Sequence, residues 1–294
     1  MMHENEIRTD AEQVRRLVAH QFPQWADLPV TALPPVGTDH MLYRIGGDLL
    51  ARMPRIDWAL DQADSDSRWL PVLAPHLPLP VPLPVALGGP GEGYPWRWSV
   101  VPWLSGENPT ADNVDPGPAA ADLAAFVRAL HGVDTTGGPV KTGATRGVPL
   151  AARDEITRAA IAELGDRVDG ARVTSAWEDA LAAAPWAGPP VWVHGDLQAG
   201  NLLVDRRRLS AVIDFGGLGL GDPAVDLMPA WNLFDAPARE VFRAESGYDD
   251  DTWRRGRGWA LSTALLGLPY YWDTVPAFVE EGLRKVAAVL EDLG

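Results

Sequence analysis

Apolar residues along this chain follow two rhythms. Up to about residue 104 they come in short β-branched or alternating runs broken by glycine and proline, the habit of strands; beyond residue 106 they recur at helical spacing in an alanine-rich background. Residues 9–20 are the early exception, with Val14, Leu17 and Val18 on one face among charges and Thr9 or Asp10 placed to cap. The stretches 35–45 and 48–54, joined by Gly46-Gly47, predict a hairpin. Residues 57–74 read as a helix with Trp58, Leu60, Trp69, Leu70 and Leu73 as its apolar positions. Residues 77–87 alternate proline with leucine and valine and must be extended. The run 96–104 (WRWSVVPWL) predicts a strand leading into a connection.

In the remainder, helices are predicted over 118–131, 151–164, 171–184, 223–234, 237–246, 251–268 and 276–293, several with proline near the start. Asp249-Asp250-Asp251 stands at one of these N-termini, where capping and the helix dipole explain it. The Gly/Thr-rich residues 135–147 predict a loop, either a mobile lid or simply exposed. Three brief runs, 191–193, 202–204 and 209–213, predict buried strands. The class is α+β, strand-rich in its first third and mostly helical after it, and length alone does not decide between one large domain and two lobes.

Polar residues that could do chemistry gather at the ends of those three strands. Asp196 follows His194-Gly195, whose glycine allows a sharp turn; Asn201 comes five positions later, and Asp214 opens Asp214-Phe215-Gly216. Phosphoryl transfer needs a carboxylate to orient or deprotonate the attacking hydroxyl and oxygen ligands for magnesium on the phosphates. Asp196 is the candidate base, and Asn201 and Asp214 are the candidate metal ligands. His194 precedes the turn and is read as a structural hydrogen-bonding residue.

H-G-D-L-x-x-x-N followed by I-D-F-G resembles the protein-kinase catalytic loop and D-F-G pair, with Gly195 in place of the loop arginine. It is closer to the aminoglycoside phosphotransferase family, whose D-P-x-x-D-L segment is similar to residues 222–227 here. Gln198 and Ala199 stand where that family commonly has His-Pro. The resemblance implies a protein-kinase-like two-lobed fold, with residues 1–103 an antiparallel sheet plus helices and residues 104–294 mostly helical, ATP or GTP with Mg2+ as cofactors, and a nucleotide pocket between the lobes. It also implies that the hairpin covers the phosphates and that its second strand carries a cation to them. Arg52 occupies that place, and its planar fork could hold two oxygens. Asp66 fills the slot of the acid that steadies this cation, with Asp61 and Asp64 as competitors. Pro102 has no N–H, so Val101 or Trp103 would donate to the nucleobase, unless Trp103 is a core side chain. No G-x-G-x-x-G loop is present, only Gly37 before the first strand. Among the variable helices, Asp226, Trp231 and Tyr271 are the candidates for acceptor binding.

The acceptor class stays open at this stage. An aminoglycoside or related antibiotic comes first, with a macrolide or a metabolite alcohol of the choline or homoserine type as alternatives, and a non-catalytic nucleotide-binding module as the contrasting class. A formal charge of −15 argues against a nucleic-acid partner on electrostatic grounds. The absence of cysteine excludes thiolate chemistry and disulfides. No run reaches the ~20 apolar residues of a membrane span, and the charged first ten residues do not read as a secretory signal. The expectation is a cytoplasmic monomer or homodimer that meets neither nucleic acid nor membrane and acts on a small-molecule alcohol.

Overall fold

The computed structural model describes residues 6–34 and 39–294. Gly37 and the residues beside it therefore lie outside the description. The chain forms two compact units, Met1–Glu107 with Ser210–Gly216, and Asn108–Leu209 with Gly217–Gly294.

In the first unit, helix α1 (Ala11–Gln21) is followed by strands β1 (Val30–Ala32), β2 (His40–Ile45) and β3 (Leu49–Pro54), helix α2 (Gln62–Leu73), and strands β4 (Ala86–Gly88) and β5 (Trp98–Pro102). The strands make one antiparallel sheet in the order β1-β2-β3-β5-β4. Gly46, at φ +57°, makes the β2–β3 turn in a conformation that a side chain would resist. Side chains alternate across a pleated sheet, so each face has its own chemistry. One face presents Tyr43, Ile45, Ala51, Met53, Trp98 and Val100, all buried against Val14, Leu17 and Val18 of α1. The other face carries His40, Leu42, Leu50, Arg52 and Ser99, with Leu42 opposite Arg52 and Arg52 opposite Ser99. Helix α1 begins where the Asp10 carboxylate accepts from the Gln13 amide at 2.7 Å.

Two elements differ from the sequence reading. Strand β1 is only three residues long, too short to show alternation. The helix expected over 57–74 is a 3-10 turn (Asp57–Ala59) followed by α2, with Asp61 between them at the N-terminus of α2.

The second unit contains helices α3 (Pro116–His131), α4 (Asp154–Leu164) and α5 (Gly170–Leu181), then strands β6 (Val191–Val193) and β7 (Leu202–Asp205). Strand β8 (Arg208–Val212) carries the chain from one unit into the other, and β9 (Gly219–Gly221) lies just after its return. Helices α6 (Pro229–Asn232), α7 (Ala236–Ser246), α8 (Asp250–Tyr271) and α9 (Pro276–Leu293) complete it. Helix α8 is the centre, packing on α4, α5 and α9, while α7 lies against α3. At its start Asp249 accepts from the Thr252 amide at 2.8 Å, which makes the first of the three aspartates a cap. Residues 223–234, read as one helix, are a 3-10 turn (Pro223–Leu227) and the single-turn α6. Arg255 of α8 donates to both oxygens of Asp222, at 2.9 and 3.3 Å, and ties that turn to α8. Antiparallel pairing of β6 with β9, in register Val191↔Gly221 to Val193↔Gly219, provides the base from which residues 194–196 emerge. Among the described residues no helix is long and apolar enough to cross a membrane.

Leu17 is fully buried on the covered sheet face. Leu17→Ala should lower unfolding free energy by about 2–4 kcal/mol, read by chemical denaturation, while a change below about 1 kcal/mol would show that α1 is not part of this core.

Candidate active site

The D-F-G segment belongs to the first unit, and its aspartate is held by that unit's own residues. Asp214 takes φ +60°, a left-handed conformation that aspartate tolerates better than most residues. Its carboxylate is 46% exposed and accepts from Arg52 Nη2 at 3.3 Å and from Gln62 Nε2 at 3.2 Å. Arg52 is pinned from behind, where its Nη1 donates to Asp66 Oδ2 at 2.9 Å. Of the three acids considered for this partner, Asp64 instead pairs with Arg97 at 3.0 Å. Burial pushes the Asp66 carboxyl up to about 6, against the pull of Arg52. His40 shares the sheet face with Arg52; burial, reinforced by the Arg52 charge and opposed by Asp214, brings its imidazole down to about 3. It is thus neutral at physiological pH, able to donate a hydrogen bond without adding charge. Gln62 and His40 were not singled out from the sequence, because nothing local marks them.

Half-buried Leu42 and Leu50 make the neighbouring part of this face apolar. The proposed backbone donors need correction. The Trp103 amide donates to the Asp48 carbonyl at 2.7 Å. Hydrogen-bonded pairs alternate along an antiparallel ladder, so Val101, opposite Leu50, also directs its amide to β3. The Val100 carbonyl, on the other edge, accepts from the Val85 amide at 2.8 Å. By the same alternation, the next groups on that edge are the Pro102 carbonyl and the backbone of Leu104. Trp103 does not vanish into the core either; its ring carries the Arg44 guanidinium, 3.7 Å from the centroid.

In the second unit, the loop after β6 is built on a buried carboxylate. Asp226, with no exposure, accepts from the His194 amide at 2.8 Å and from the Gly195 amide at 2.7 Å, and contacts His131 Nε2 at 3.1 Å. His131 Nδ1 in turn meets the Tyr248 hydroxyl at 2.6 Å. Gly195 sits at φ +77°, and a Cβ there would lie 2.8 Å from the Gly217 carbonyl oxygen. No larger residue fits, which accounts for glycine where the kinase loop has arginine. The Asp196 amide donates to His194 Nδ1 at 3.2 Å, giving His194 the structural role read from its position. Asn201 donates through Nδ2 to the Asp196 carbonyl at 2.8 Å and to its carboxylate at 3.1 Å. That leaves the Asn201 carbonyl oxygen as the atom able to ligate a cation.

Two acceptor candidates are corrected. Asp226 is the floor of the loop, and Trp231 is fully buried with its ring 4.8 Å from that of Trp253. Neither can reach a substrate. Tyr271, at the end of α8, packs against Tyr270 and Phe278 at 4.7 and 4.8 Å and keeps part of its surface. Residues 135–147 are no loose lid. The Lys141 amide donates to the Leu220 carbonyl at 2.9 Å, and the Leu220 amide to the Pro139 carbonyl at 2.7 Å, which zips the loop to β9. From it Arg146, unremarked in the sequence, forms an ion pair with Asp196.

The first unit thus clamps a basic strand residue between two acids, and the second presents Asp196 beside Asn201 from a glycine turn. The model of the phosphotransferase enzyme family matches residues 32–259, and the chain belongs to that family. An aminoglycoside 3'-phosphotransferase of Escherichia coli is 29% identical over 137 residues, 45% of this chain and 51% of that protein. One from Salmonella typhimurium is 29% identical over 120 residues, 40% of this chain and 44% of its own. The chain thus spans about half the length of the curated relatives it matches. Among solved structures, the GDP and kanamycin complex of APH(2")-IIia superposes with a TM-score of 0.74 at 19% identity, covering 95% of this chain and 98% of that one. A macrolide 2'-phosphotransferase from Brachybacterium faecium gives 0.63 at 25% identity, over 95% and 97%. The fold is the one these enzymes share.

The raised Asp66 value has a readable consequence. Above about pH 6 Asp66 is ionised and holds Arg52; as pH falls through that value the partner is neutralised and Arg52 is left to Asp214. For stability the sign is opposite: a carboxyl raised above its ordinary value contributes most at low pH and loses that contribution as pH rises toward 6. Nucleotide affinity, followed by calorimetry, should weaken on the acid side of about 6 in the wild type and lose that limb in Asp66→Asn. An unchanged acid limb in the variant would assign it to another group.

Proposed function

We propose that this chain transfers the terminal phosphoryl group of ATP or GTP to a hydroxyl of a small molecule. The observations that carry the proposal are the Arg52–Asp66–Asp214 clamp within one unit and the Asp196–Asn201 loop within the other, both inside the matched family region. Asp196 orients the acceptor hydroxyl and takes its proton as the new oxygen–phosphorus bond forms. The bond to the leaving nucleoside diphosphate breaks in the same displacement. Arg52, held by Asp66, supplies a fixed positive charge for the phosphates. Arginine suits this post because it stays ionised and can bond two oxygens at once.

The donor set fits magnesium. Asn201 offers a carbonyl oxygen and Asp214 a half-exposed carboxylate, both hard oxygen ligands of the kind Mg2+ takes alongside phosphate and water. When bound, the ion neutralises charge on the phosphates. In this reading Leu42 and Leu50 face the nucleobase, and the Pro102 carbonyl with the Leu104 backbone would meet its edge in place of Val101 and Trp103. The acceptors named with relatives and neighbours are aminoglycosides and macrolides, so antibiotic alcohols are the first compounds to assay. Tyr271 remains a candidate wall for the acceptor.

Removal of a positioned base costs ~10²–10⁴-fold in turnover. Asp196→Ala should lose at least about 100-fold in kcat while nucleotide affinity stays within about threefold. Asp214→Ala should lose magnesium-dependent affinity as well. Diphosphate release measured over a panel of antibiotic and metabolite alcohols tests this; wild-type turnover in Asp196→Ala would reject the assigned base.

A further inference from the structure

Three cations of the second unit crowd the loop that presents Asp196, in a protein whose formal charge is −15. Arg146 pairs with Asp196 itself. Lys141 lies behind it, its methylenes against the backbone of β9: a Cβ on Gly219 would come within 2.9 Å of the Lys141 Cε. Arg153, from the 3-10 turn before α4, is 8% exposed and donates to the Ala144 carbonyl within the same loop. Its guanidinium stands 5.3 Å from the ring centroid of Trp259. Among the described residues neither Lys141 nor Arg153 has an acid within ion-pair distance, and Arg153 Nε is buried with no hydrogen-bond partner.

A buried cation without an ion-pair partner is costly, and Arg153 is buried and Lys141 half-buried with no acid among the described residues within 4.0 Å of either. Burial and repulsion from Arg146 hold both below their ordinary values, Arg153 at about 10, while for Lys141 the Asp226 carboxylate works in the other direction without reversing it. Arg146 is also well positioned to serve. It precedes Gly147, whose carbonyl accepts from the Asp222 amide at 2.7 Å, and Gly147 at φ +97° leaves no room for a side chain without strain. Thus the backbone carrying Arg146 is fixed to the same β6–β9 base that carries Asp196. The side chain itself is 40% exposed, so it can turn from Asp196 to a ligand.

We propose that Arg146, with Lys141 and Arg153 behind it, forms an oxyanion site beside Asp196 that receives a phosphate or carboxylate group during the reaction. Two sources share this chemistry: an anionic group on the acceptor, next to the hydroxyl that is phosphorylated, or the phosphoryl group in transfer. Either use places Arg146 among the residues that touch the reacting molecules. The first also disfavours a polycationic acceptor at this end of the site, since its ammonium groups would meet like charge. The site's existence stands on its own geometry, while its part in catalysis rests on the phosphotransferase reading.

The test is a calorimetric titration of the full chain with inorganic phosphate, for the wild type, Arg146→Gln and Lys141→Gln, with circular dichroism to confirm folding. Saturable binding should weaken at least about tenfold in Arg146→Gln and by less in Lys141→Gln. Repeating the titration with magnesium and a saturating non-hydrolysable ATP analogue separates the sources. Phosphate binding that persists assigns the site to the acceptor's anionic group; binding that is abolished assigns it to the transferred phosphoryl. Absence of saturable phosphate binding in the wild type, or equal affinity in wild type and Arg146→Gln, would overturn the site. Binding of the nucleotide analogue alone is scored separately, so a protein that takes phosphate at Arg146 but no nucleotide would refute the phosphotransferase reading and leave the oxyanion site standing.

Discussion

The second unit depends on one buried carboxylate. Asp226 has no exposure, yet it is surrounded by donors: two consecutive amides at the turn and the imidazole of His131. Two adjacent amides reach one carboxylate only if the backbone between them is bent, and the bend is available because residue 195 is glycine at φ +77°. Asp196 is the next residue, so its placement follows from an interaction it does not make. The same segment holds Asp222, locked to Arg255 of α8, so loop and helical core are joined within a few residues of chain. Removing either acid would leave buried donors unsatisfied, at roughly 1–3 kcal/mol each and more where a charge is involved.

The first unit solves a different problem, which is to hold an arginine rigid while keeping one side of it available. Asp66 is 1% exposed and takes Nη1; Asp214, 46% exposed, takes Nη2. The inner acid fixes the side chain and the outer one shares it. The acid on α2 and the base on β3 meet at 2.9 Å. Gln62, one turn before Asp66 on the same helix, steadies Asp214 from the other side. Helix α2 thus contributes the inner acid of the clamp and the donor that steadies the outer one.

How much of this could be read from the sequence depended on the range of the interaction. Val191–Val193, the β2–β3 hairpin and helix α9 were legible because their signals are local: β-branched runs, Gly-Gly, and proline at a helix start. Asp196, Asn201 and Asp214 stand out as candidates because their spacing is itself the motif, and the structure hydrogen-bonds the first two to each other. Asp66 was found through the resemblance and then placed against Arg52 by the fold. Asp226 and Trp231 were misread as acceptor contacts, since a carboxylate or a ring in a motif looks the same whether it faces a ligand or the interior. Arg146 left no trace at all. It lies 50 positions before Asp196, in a loop read as a possible lid, and only the pairing of residues 139–141 with β9 brings the two together. The nucleobase donors were misassigned for a related reason: which edge an amide faces is set by strand register, which no single strand's composition records.

The most direct measurement of this account is hydrogen exchange at the His194 and Gly195 amides, in the wild type and in Asp226→Asn. Both amides should exchange as slowly as the core of the second unit in the wild type. In the variant, where one carboxylate oxygen becomes an NH2 facing an N–H, they should exchange on the order of tenfold faster or more while distant helices keep their protection. Fast exchange at these amides in the wild type, or slow exchange that survives the substitution, would mean that the turn presenting Asp196 is held by something other than Asp226.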